Sequence, residues 1–270
     1  MMTGKAVSLA RLPGKVPVSR EVLLEVSGLC AGSWFSNVSF KVHRNEIVGL
    51  VGLEGQGQRE VLRALFGAMK LDHGTVRVNG REVRLRNPRD AMRSRIAFVP
   101  EERKLEGVCL RLNLANNICL PTVDARQSFG FVDSAREQQL VSRLIGELRI
   151  NPPSPGHLAN NLSGGNQQKV VVAKWLAAEP SVLLFSEPTR GIDVGAKEEI
   201  YQLMRLITDA GGGVLMVSSD MLEVMRICDR IIVMHDGRVV REFDAETADR
   251  ETIMAAQWGI TAETEAEACR

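Results

Sequence analysis

The stretch Asn161-Leu162-Ser163-Gly164-Gly165-Asn166-Gln167-Gln168-Lys169 is the part of the sequence that says most about the fold. A serine and two glycines come shortly before the apolar run Val170–Ala173, which predicts a helix with Ser163 as its N-cap. The first N–H groups of a helix have no intrahelical partner and carry partial positive charge, and glycines without a Cβ let a phosphate approach the main chain. The stretch therefore predicts either an ordinary capped helix or a helix start that binds an anion.

The composition is typical of a soluble globular chain. It has 270 residues, of which 44% are apolar and 25% are charged, with a formal net charge of +1. This length predicts one large domain, or one domain with an appended subdomain. Because the net charge is close to zero, nothing favours bulk electrostatic binding of nucleic acid or anionic lipid, and no nucleic-acid partner is expected.

The cysteine and histidine patterns argue against disulfides and metal sites. The five cysteines form no Cys-x-x-Cys pair and are far apart in the sequence: Cys30, Cys109, Cys119, Cys228 and Cys269. Their odd number predicts reduced thiols in a cytoplasmic protein. The four histidines lack metal-ligand spacing, so no metal site of the chain's own is predicted. No apolar run approaches the roughly 18 residues of a membrane helix, and any membrane association is expected to come through a partner.

A second glycine-rich segment follows a short buried strand that is predicted at Ile47–Val51. It reads Gly52-Leu53-Glu54-Gly55-Gln56-Gly57-Gln58-Arg59 and leads into an amphipathic helix. Strand, glycine loop and helix are the context of a phosphate-binding P-loop, and Gly52 and Gly57 have the spacing that this motif requires. A glycine-rich turn without nucleotide is the alternative. The candidate nucleotide-binding residues in this segment are Gly52, Glu54, Gly55, Gln56, Gly57, Gln58 and Arg59.

The residues that handle Mg²⁺ in P-loop ATPases are replaced here. The motif places Lys and then Ser or Thr after its last glycine, and this chain has Gln58 and Arg59. Glutamine adds no charge, and arginine cannot ligate a metal ion. The strand predicted at Ser181–Phe185 is followed by Ser186, where such ATPases hold Mg²⁺ with an Asp, and then by Glu187, a candidate catalytic base. Two groups that would bind the same Mg²⁺ ion, at positions 59 and 186, are therefore missing, which predicts that this site does not perform ordinary Mg-ATP hydrolysis. The alternative for Glu187 is a carboxylate at a helix start with no catalytic role.

Turn and cap signals predict several smaller elements. A hairpin is predicted at Gly74–Leu85 around the turn pair Asn79-Gly80, and Asn87 is expected to cap a short helix. The charged run Pro100–Lys104 is predicted to be a solvated turn, and the region 105–178 is predicted to be mainly helical. Within that region the residues at helical spacing form one apolar face, which predicts core packing: Leu140, Val141, Leu144, Ile145 and Leu148.

The order of these motifs resembles an ABC ATPase domain across residues 20–255. That family has an α/β fold, with a P-loop NTPase core, an antiparallel β subdomain and a helical subdomain, here expected at about 105–178. The resemblance implies a linker or tail at 1–20, the ABC ATPase domain at 21–256 and a C-terminal tail at 257–270. More narrowly, the chain is similar to the second, C-terminal ATPase domain of bacterial importers for ribose, galactose or xylose. The segments that carry this narrower likeness are Gly52–Gly57, Pro100–Lys104, Leu162–Val170 and Glu187–Lys197.

In that family the ATPase subunit has two such domains, and each composite site joins one domain's P-loop to the other domain's signature. The resemblance identifies Leu162–Gln168 as the signature. It implies that Glu101, a candidate nucleotide-binding residue, stands where typical ABC domains have a loop glutamine that senses Mg²⁺ and contacts the membrane subunit. It also implies that Asp193 lies in the loop crossing the domain interface, and that Ser219, at this interface, stands where typical domains have a histidine that contacts the γ-phosphate. ATP and Mg²⁺ are then expected mainly at the partner domain's site. The signature residues implied to contact that partner-bound ATP are Ser163, Gly164, Gly165 and Gln167.

The likeness also predicts partners and location. The implied partners are an intact ABC ATPase domain, membrane permease subunits and, indirectly, a periplasmic sugar-binding protein. The chain is then expected to lie peripherally on the cytoplasmic face of the plasma membrane. Its start, Met1-Met2-Thr3-Gly4-Lys5, resembles the middle of the two-domain subunit and predicts a half-length chain. Many ABC domains stack an aromatic residue on adenine before the P-loop; Trp34 and Phe35 lie there, and core packing is expected for Phe35.

The predicted function is that of an ATP-binding subunit, or the C-terminal half of one, in a monosaccharide importer. Its own site is degenerate, because Ser186 departs even from the second domains of this family and Ser219 is too short to replace a histidine. Its intact signature is expected to serve a partner domain. Two alternatives stay open: an autonomous homodimeric ATPase with Glu187 as base, and a non-catalytic regulatory remnant.

Overall fold

The computed structural model describes residues 11–123, 127–128 and 131–260, and for 127–128 and 131–132 it describes the backbone alone. The strands are β1 Val22–Ala31, β2 Phe35–His43, β3 Ile47–Val51, β4 His73–Val78, β5 Arg81–Val83, β6 Ile96–Val99, β7 Gln127–Ser128, β8 Phe131–Val132, β9 Val182–Ser186, β10 Gly213–Val217, β11 Arg230–His235 and β12 Arg238–Asp244. The helices are α1 Gln58–Leu65, α2 Pro88–Arg93, α3 Leu114–Cys119, α4 Ser134–Glu147, α5 Gly164–Leu176, α6 Val194–Asp209, α7 Met221–Ile227 and α8 Arg250–Gln257.

A six-stranded sheet forms the centre of the fold, in the order β12-β11-β3-β10-β9-β6. β11, β3, β10, β9 and β6 are parallel, and β12 pairs antiparallel with β11 at one edge. Every residue of β3, β6, β9 and β10 is buried, as expected for parallel strands covered on both faces. Because parallel strands end at the same edge, the segments that follow β3, β6, β9 and β10 meet there, and this edge carries the candidate site.

A second sheet of four antiparallel strands has the order β2-β1-β4-β5, and β2 contacts β12 of the central sheet. Its strands alternate between buried and exposed residues, most clearly in β2. The predicted hairpin is confirmed as β4 and β5, with Asn79 in the left-handed region at φ 49°. Asn87 caps α2 as predicted, since its side chain accepts a hydrogen bond from the Asp90 N–H.

Helices α3, α4 and α5 lie between β6 and β9 in the chain. The predicted apolar face of α4 is confirmed: Val141, Leu144, Ile145 and Leu148 are buried, and Leu140 is partly buried against the core. α5 contacts α3 and α4 as well as β6. The predicted fold class is therefore confirmed, with a parallel P-loop core, an antiparallel β subdomain and a helical subdomain.

Two stretches behave differently from what their composition suggests. The prediction of a solvated turn at Pro100–Lys104 is wrong at its start, because Pro100 is buried and Glu101 is largely covered. A single turn of π-helix follows at Arg103–Gly107. Residues 11–20 form no helix or strand, yet they are bound to the domain: the Leu12 N–H donates to the Arg226 carbonyl at 2.8 Å. The limits assigned to the domain and its tails stay predictions.

Candidate functional site

The loop between β3 and α1, Gly52–Gly57, has the backbone of a P-loop. Gly55 and Gly57 lie in the left-handed region at φ 83° and 92°. A Cβ on Gly57 would lie 2.4 Å from the Trp34 carbonyl oxygen, so this position requires glycine. α1 starts at Gln58 with no side chain capping its first N–H groups. The loop therefore presents the start of a helix to the edge of the sheet, as anion-binding loops do.

Gln58, at the position of the P-loop lysine, hydrogen-bonds to the backbone of the loop itself. Its side chain is buried, and Nε2 donates to the carbonyl oxygens of Gly52 at 3.2 Å and Leu53 at 2.9 Å. A primary amide has two N–H donors, and both are occupied here. Gln56 is also engaged, because its side-chain oxygen accepts a hydrogen bond from the Asp236 N–H. Gln58 therefore braces the loop and has no donor left for a phosphate.

Arg59 brings together carboxylates from three different loops. Its NH1 lies 3.4 Å from Glu101 Oε2, and its NH2 lies 3.3 Å from Glu187 Oε1. Glu54, which is almost fully exposed, lies 3.9 Å from the same NH1. The Arg59 side chain is 33% exposed, and the Glu187 side chain is 7% exposed. The structure thus places a fixed positive charge between the predicted base Glu187 and the predicted sensor Glu101.

Glu187 is held by Ser219 as well as by Arg59. The Ser219 N–H donates to Glu187 Oε1 at 2.9 Å, and Ser219 Oγ donates to Oε2 at 3.1 Å. The backbone of Glu187 is in the left-handed region at φ 47°, and its N–H donates to the Val217 carbonyl at 2.8 Å. A general base must be free to accept a proton from water. Here both carboxylate oxygens already accept hydrogen bonds, and the structure brings Ser219 to this site.

Glu101 connects the P-loop side to the segment after β9. One carboxylate oxygen faces Arg59, and the other pairs with Arg190. Arg103, two residues further along, donates to the carbonyl oxygens of Arg190 at 2.9 Å and Gly191 at 3.1 Å. Neither Arg103 nor Arg190 was predicted from the sequence to be a site residue. Their positions depend on how the segments after β6 and β9 meet, and no local pattern reports that.

The signature helix α5 begins as predicted. Ser163 is its N-cap, and Ser163 Oγ accepts hydrogen bonds from Asn166 N at 3.4 Å and from Asn166 Nδ2 at 3.0 Å. Ser163 is exposed and Gly164 is partly exposed, whereas Gly165 is buried against Ala196 of α6. Gln167 is buried and donates to the Ala159 carbonyl at 3.2 Å. The accessible start of the helix is therefore formed by Ser163 and Gly164.

The remaining predicted residues have separate positions. Asp193 is exposed and caps α6, where its side chain accepts from the Ala196 N–H at 3.0 Å. Trp34 is 48% exposed beside the P-loop, while Phe35 is buried in the core, which confirms the packing role expected for Phe35. Trp34 is thus the member of the pair whose side chain is open to solvent, while its backbone carbonyl lies against Gly57.

The residues at the P-loop do not fit a magnesium ion. Mg²⁺ requires near-octahedral oxygen ligands at about 2.1 Å, usually from carboxylates, a hydroxyl and phosphates. Glu101 and Glu187 face the guanidinium of Arg59, which is a donor without acceptor capacity. Within the part of the chain that the structure describes, no group of three or more His, Cys, Asp or Glu residues is arranged to hold a metal ion.

A parallel sheet with a glycine loop after one strand and a helix start behind it defines a P-loop NTPase fold. Solved ABC cassettes share this fold. A nucleotide-free ATP-binding cassette from an ABC transporter matches with a TM-score of 0.70 over 83% of this chain and 91% of its own, at 17% identity. The cbiO1 protein of Clostridium perfringens, part of an ABC transporter complex, matches with a TM-score of 0.74 over 93% of this chain and 99% of its own, at 18% identity.

The family model described as ABC transporter matches residues 35–190, which is more than half of the chain. The chain therefore belongs to the ABC transporter family, as one of its ATP-binding domains. The ribose import ATP-binding protein RbsA of Bacillus licheniformis is 43% identical over 96% of this chain and 52% of its own length. RbsA of Bacillus subtilis is 42% identical over the same shares. The chain thus spans about half the length of the curated relatives it matches.

Proposed function

We propose that this chain acts in a monosaccharide importer as the C-terminal, degenerate ATPase domain of a two-domain ATP-binding subunit. It supplies its signature to ATP and Mg²⁺ held by an intact partner domain, and it does not hydrolyse Mg-ATP at its own P-loop. One contrast carries the proposal. The start of α5 is capped and accessible at Ser163, whereas the charged residues around the P-loop are paired with one another.

The charge balance around the P-loop supports a weak or absent nucleotide site. Arg59 and Arg190 face the carboxylates of Glu54, Glu101 and Glu187, so these residues carry two positive and three negative charges before a phosphate arrives. An intact P-loop adds a lysine for the β/γ-phosphates, and Gln58 adds none. An approaching triphosphate therefore meets a net negative charge from these residues.

The relatives support the transport role. Proteins that are 42–43% identical to this chain are named as ribose import ATP-binding proteins, and a pentose or hexose is accordingly the substrate class we propose for the transporter. The partners in this proposal are an intact ABC ATPase domain, permease subunits and, indirectly, a periplasmic sugar-binding protein. Within the described residues no helix is both long and apolar enough to cross a membrane. The permease then holds the chain peripherally at the cytoplasmic face.

The test is to mix the chain with an intact ABC ATPase domain from a ribose importer and to measure ATP hydrolysis. We expect the chain alone to be inactive and the mixture to hydrolyse ATP at least about tenfold faster than the intact domain alone, because the signature donors complete the site. Ser163→Arg should abolish this stimulation, since it places a bulky cation at the accessible start of α5. Ser154→Arg, in the exposed loop before the signature, is the matched control and should keep it.

Two outcomes would replace the proposal. Magnesium-dependent hydrolysis by the chain alone, lost on Glu187→Gln, would identify an autonomous homodimeric ATPase. Failure of the folded chain to associate with any intact ATPase domain or permease would identify a non-catalytic remnant.

A further inference from the structure

The position of Arg59 is the feature that ordinary loss of a nucleotide site does not explain. A site that had only drifted would leave its carboxylates facing solvent or repelling one another. Instead, two nitrogen atoms of one guanidinium face two carboxylates, Glu101 at 3.4 Å and Glu187 at 3.3 Å. These glutamates follow different strands, β6 and β9, and Arg59 itself lies on α1 after β3. Three loops at the edge of the sheet therefore meet on one side chain.

A guanidinium and Mg²⁺ can both neutralise carboxylates that lie close together, but in different ways. The metal needs oxygen ligands at about 2.1 Å and normally recruits phosphates to complete its shell. A guanidinium is planar and always charged, and it presents N–H groups in directions that match two acceptors at once. Ser186 stands in place of the metal-binding Asp, which agrees with a guanidinium in the position of the metal. A buried Asp at 186 would add a further negative charge that Arg59 would also have to neutralise.

We propose that Arg59 is a resident cation that takes the place of Mg²⁺ in this P-loop site and holds the loops after β6 and β9 together in the absence of nucleotide. In this role Arg59 is a positioning residue. The inference rests on the part of the proposed function that assigns the P-loop to Gly52–Gly57, and it needs neither a transport substrate nor a partner.

The contacts of Glu101 carry this arrangement towards the signature. Glu101 also pairs with Arg190, whose carbonyl accepts a hydrogen bond from Arg103 at 2.9 Å. A Cβ on Gly164 would lie 2.8 Å from Arg103 NH2, so the first residue of α5 packs directly on this guanidinium. An unbroken series of contacts thus runs from Arg59 through Glu101, Arg190 and Arg103 to Gly164. The resident cation keeps the signature start fixed relative to the central sheet without waiting for a ligand.

The test is hydrogen exchange on the purified 270-residue chain, without nucleotide and without partner. The backbone amides of 101–107 and 187–193 should be protected in the wild type, and adding MgCl₂ should not change this protection. Arg59→Ala should speed their exchange by about tenfold or more, because one of the two carboxylates it neutralises is buried. Millimolar MgCl₂, compared with NaCl at equal ionic strength, should restore most of the protection in Arg59→Ala by occupying the vacated position between the carboxylates.

Two variants serve as controls. Arg77→Met removes an arginine that pairs with Glu25 at 3.6 Å on the antiparallel sheet, and it should leave exchange in both segments unchanged. Arg59→Lys keeps one charge but cannot direct two donors to two carboxylates, so its exchange should lie between that of the wild type and Arg59→Ala. If circular dichroism shows reduced helix content in Arg59→Ala, that variant is partly unfolded. Exchange is then compared between the wild type and Arg59→Lys, which keeps a positive charge beside the buried Glu187.

Three results would overturn the proposal: protection in the wild type that increases with Mg²⁺, exchange in Arg59→Ala and Arg59→Lys equal to that of the wild type, or a loss in Arg59→Ala that Mg²⁺ does not restore. Each is read on the chain alone. The proposed function is tested by a different experiment, ATP hydrolysis in the mixture with an intact domain. Either proposal can therefore be disproved without the other.

Discussion

Replacing Glu223 with glutamine is expected to remove a pH dependence from the stability of this fold. Glu223 lies on α7, is 3% exposed, and accepts a hydrogen bond from Ser218 Oγ at 2.5 Å. Burial raises the pKa of the Glu223 carboxyl from 4.5 to about 7, while the hydroxyls of Ser218 and Thr189 stabilise the charged form and oppose this shift. The carboxyl is thus protonated in the folded chain over a pH range in which it is charged in the unfolded chain.

A raised carboxyl pKa stabilises the folded state at low pH, because the folded state binds the proton more tightly than the unfolded state does. The contribution is fully present below the unfolded pKa of 4.5 and is lost as the pH rises through about 7. This shift corresponds to about 3 kcal/mol, most of which is lost between pH 5 and pH 8.

The assay is urea unfolding of the wild type and Glu223→Gln, followed by circular dichroism at several pH values between 5 and 8. The free energy of unfolding of the wild type should fall relative to that of the variant by about 2–3 kcal/mol across this range. Glu251→Gln, which changes an exposed carboxylate on α8, is the matched control and should run parallel to the wild type. Parallel curves for the wild type and Glu223→Gln would show that the pKa of this carboxyl is not raised by folding, so that it is charged in both states across this range.

Two further predictions concern the P-loop itself. Changing Gln58→Lys, Arg59→Thr and Ser186→Asp together should raise Mg-ATP affinity by at least about tenfold, measured by calorimetry, because charge-assisted contacts and metal ligands are restored; unchanged affinity would mean that the phosphate loop has been misplaced. Gly57→Ala should destabilise the fold by about 2–3 kcal/mol in urea unfolding, and Gly55→Ala by only about 1 kcal/mol. Both glycines have positive φ, but a Cβ meets the Trp34 carbonyl only at Gly57 and has open space at Gly55; equal losses would contradict the steric part of this account.

Local patterns were enough to predict most of the framework. Ile47–Val51 is a strand with the predicted limits, and the strand predicted at Ser181–Phe185 is β9, shifted by one residue, because short apolar runs between turn signals have few other ways to be buried. Ser163 and Asn87 are N-caps, since a side-chain oxygen before a helix satisfies N–H groups that otherwise lack partners. These features depend on residues within one turn of each other, so one sequence contains all the information they need.

The arrangement at the candidate site depends on distant segments, and the sequence predicted it less well. The sequence showed that Gln58 and Arg59 replace the lysine and the metal-binding hydroxyl of the P-loop motif. It did not show which residues these two side chains contact. Arg59 meets Glu187 across 128 positions of sequence, and Ser219 meets Glu187 across 32. The run that begins at Pro100 was predicted to be solvated because it is charged. A charged residue is covered when another loop supplies an opposite charge, and that partner is not encoded nearby.

The most direct test of the central claim is a calorimetric titration of Mg-ATP into the purified chain, repeated with an intact ABC ATPase domain present. We expect no detectable heat of binding for the folded chain alone and one Mg-ATP bound per pair of domains in the mixture. Micromolar, magnesium-dependent binding to the chain alone would contradict it. Such a result would mean that the paired charges of Arg59, Glu101 and Glu187 separate to admit a metal-bound nucleotide, and it would favour the autonomous ATPase over the proposed function.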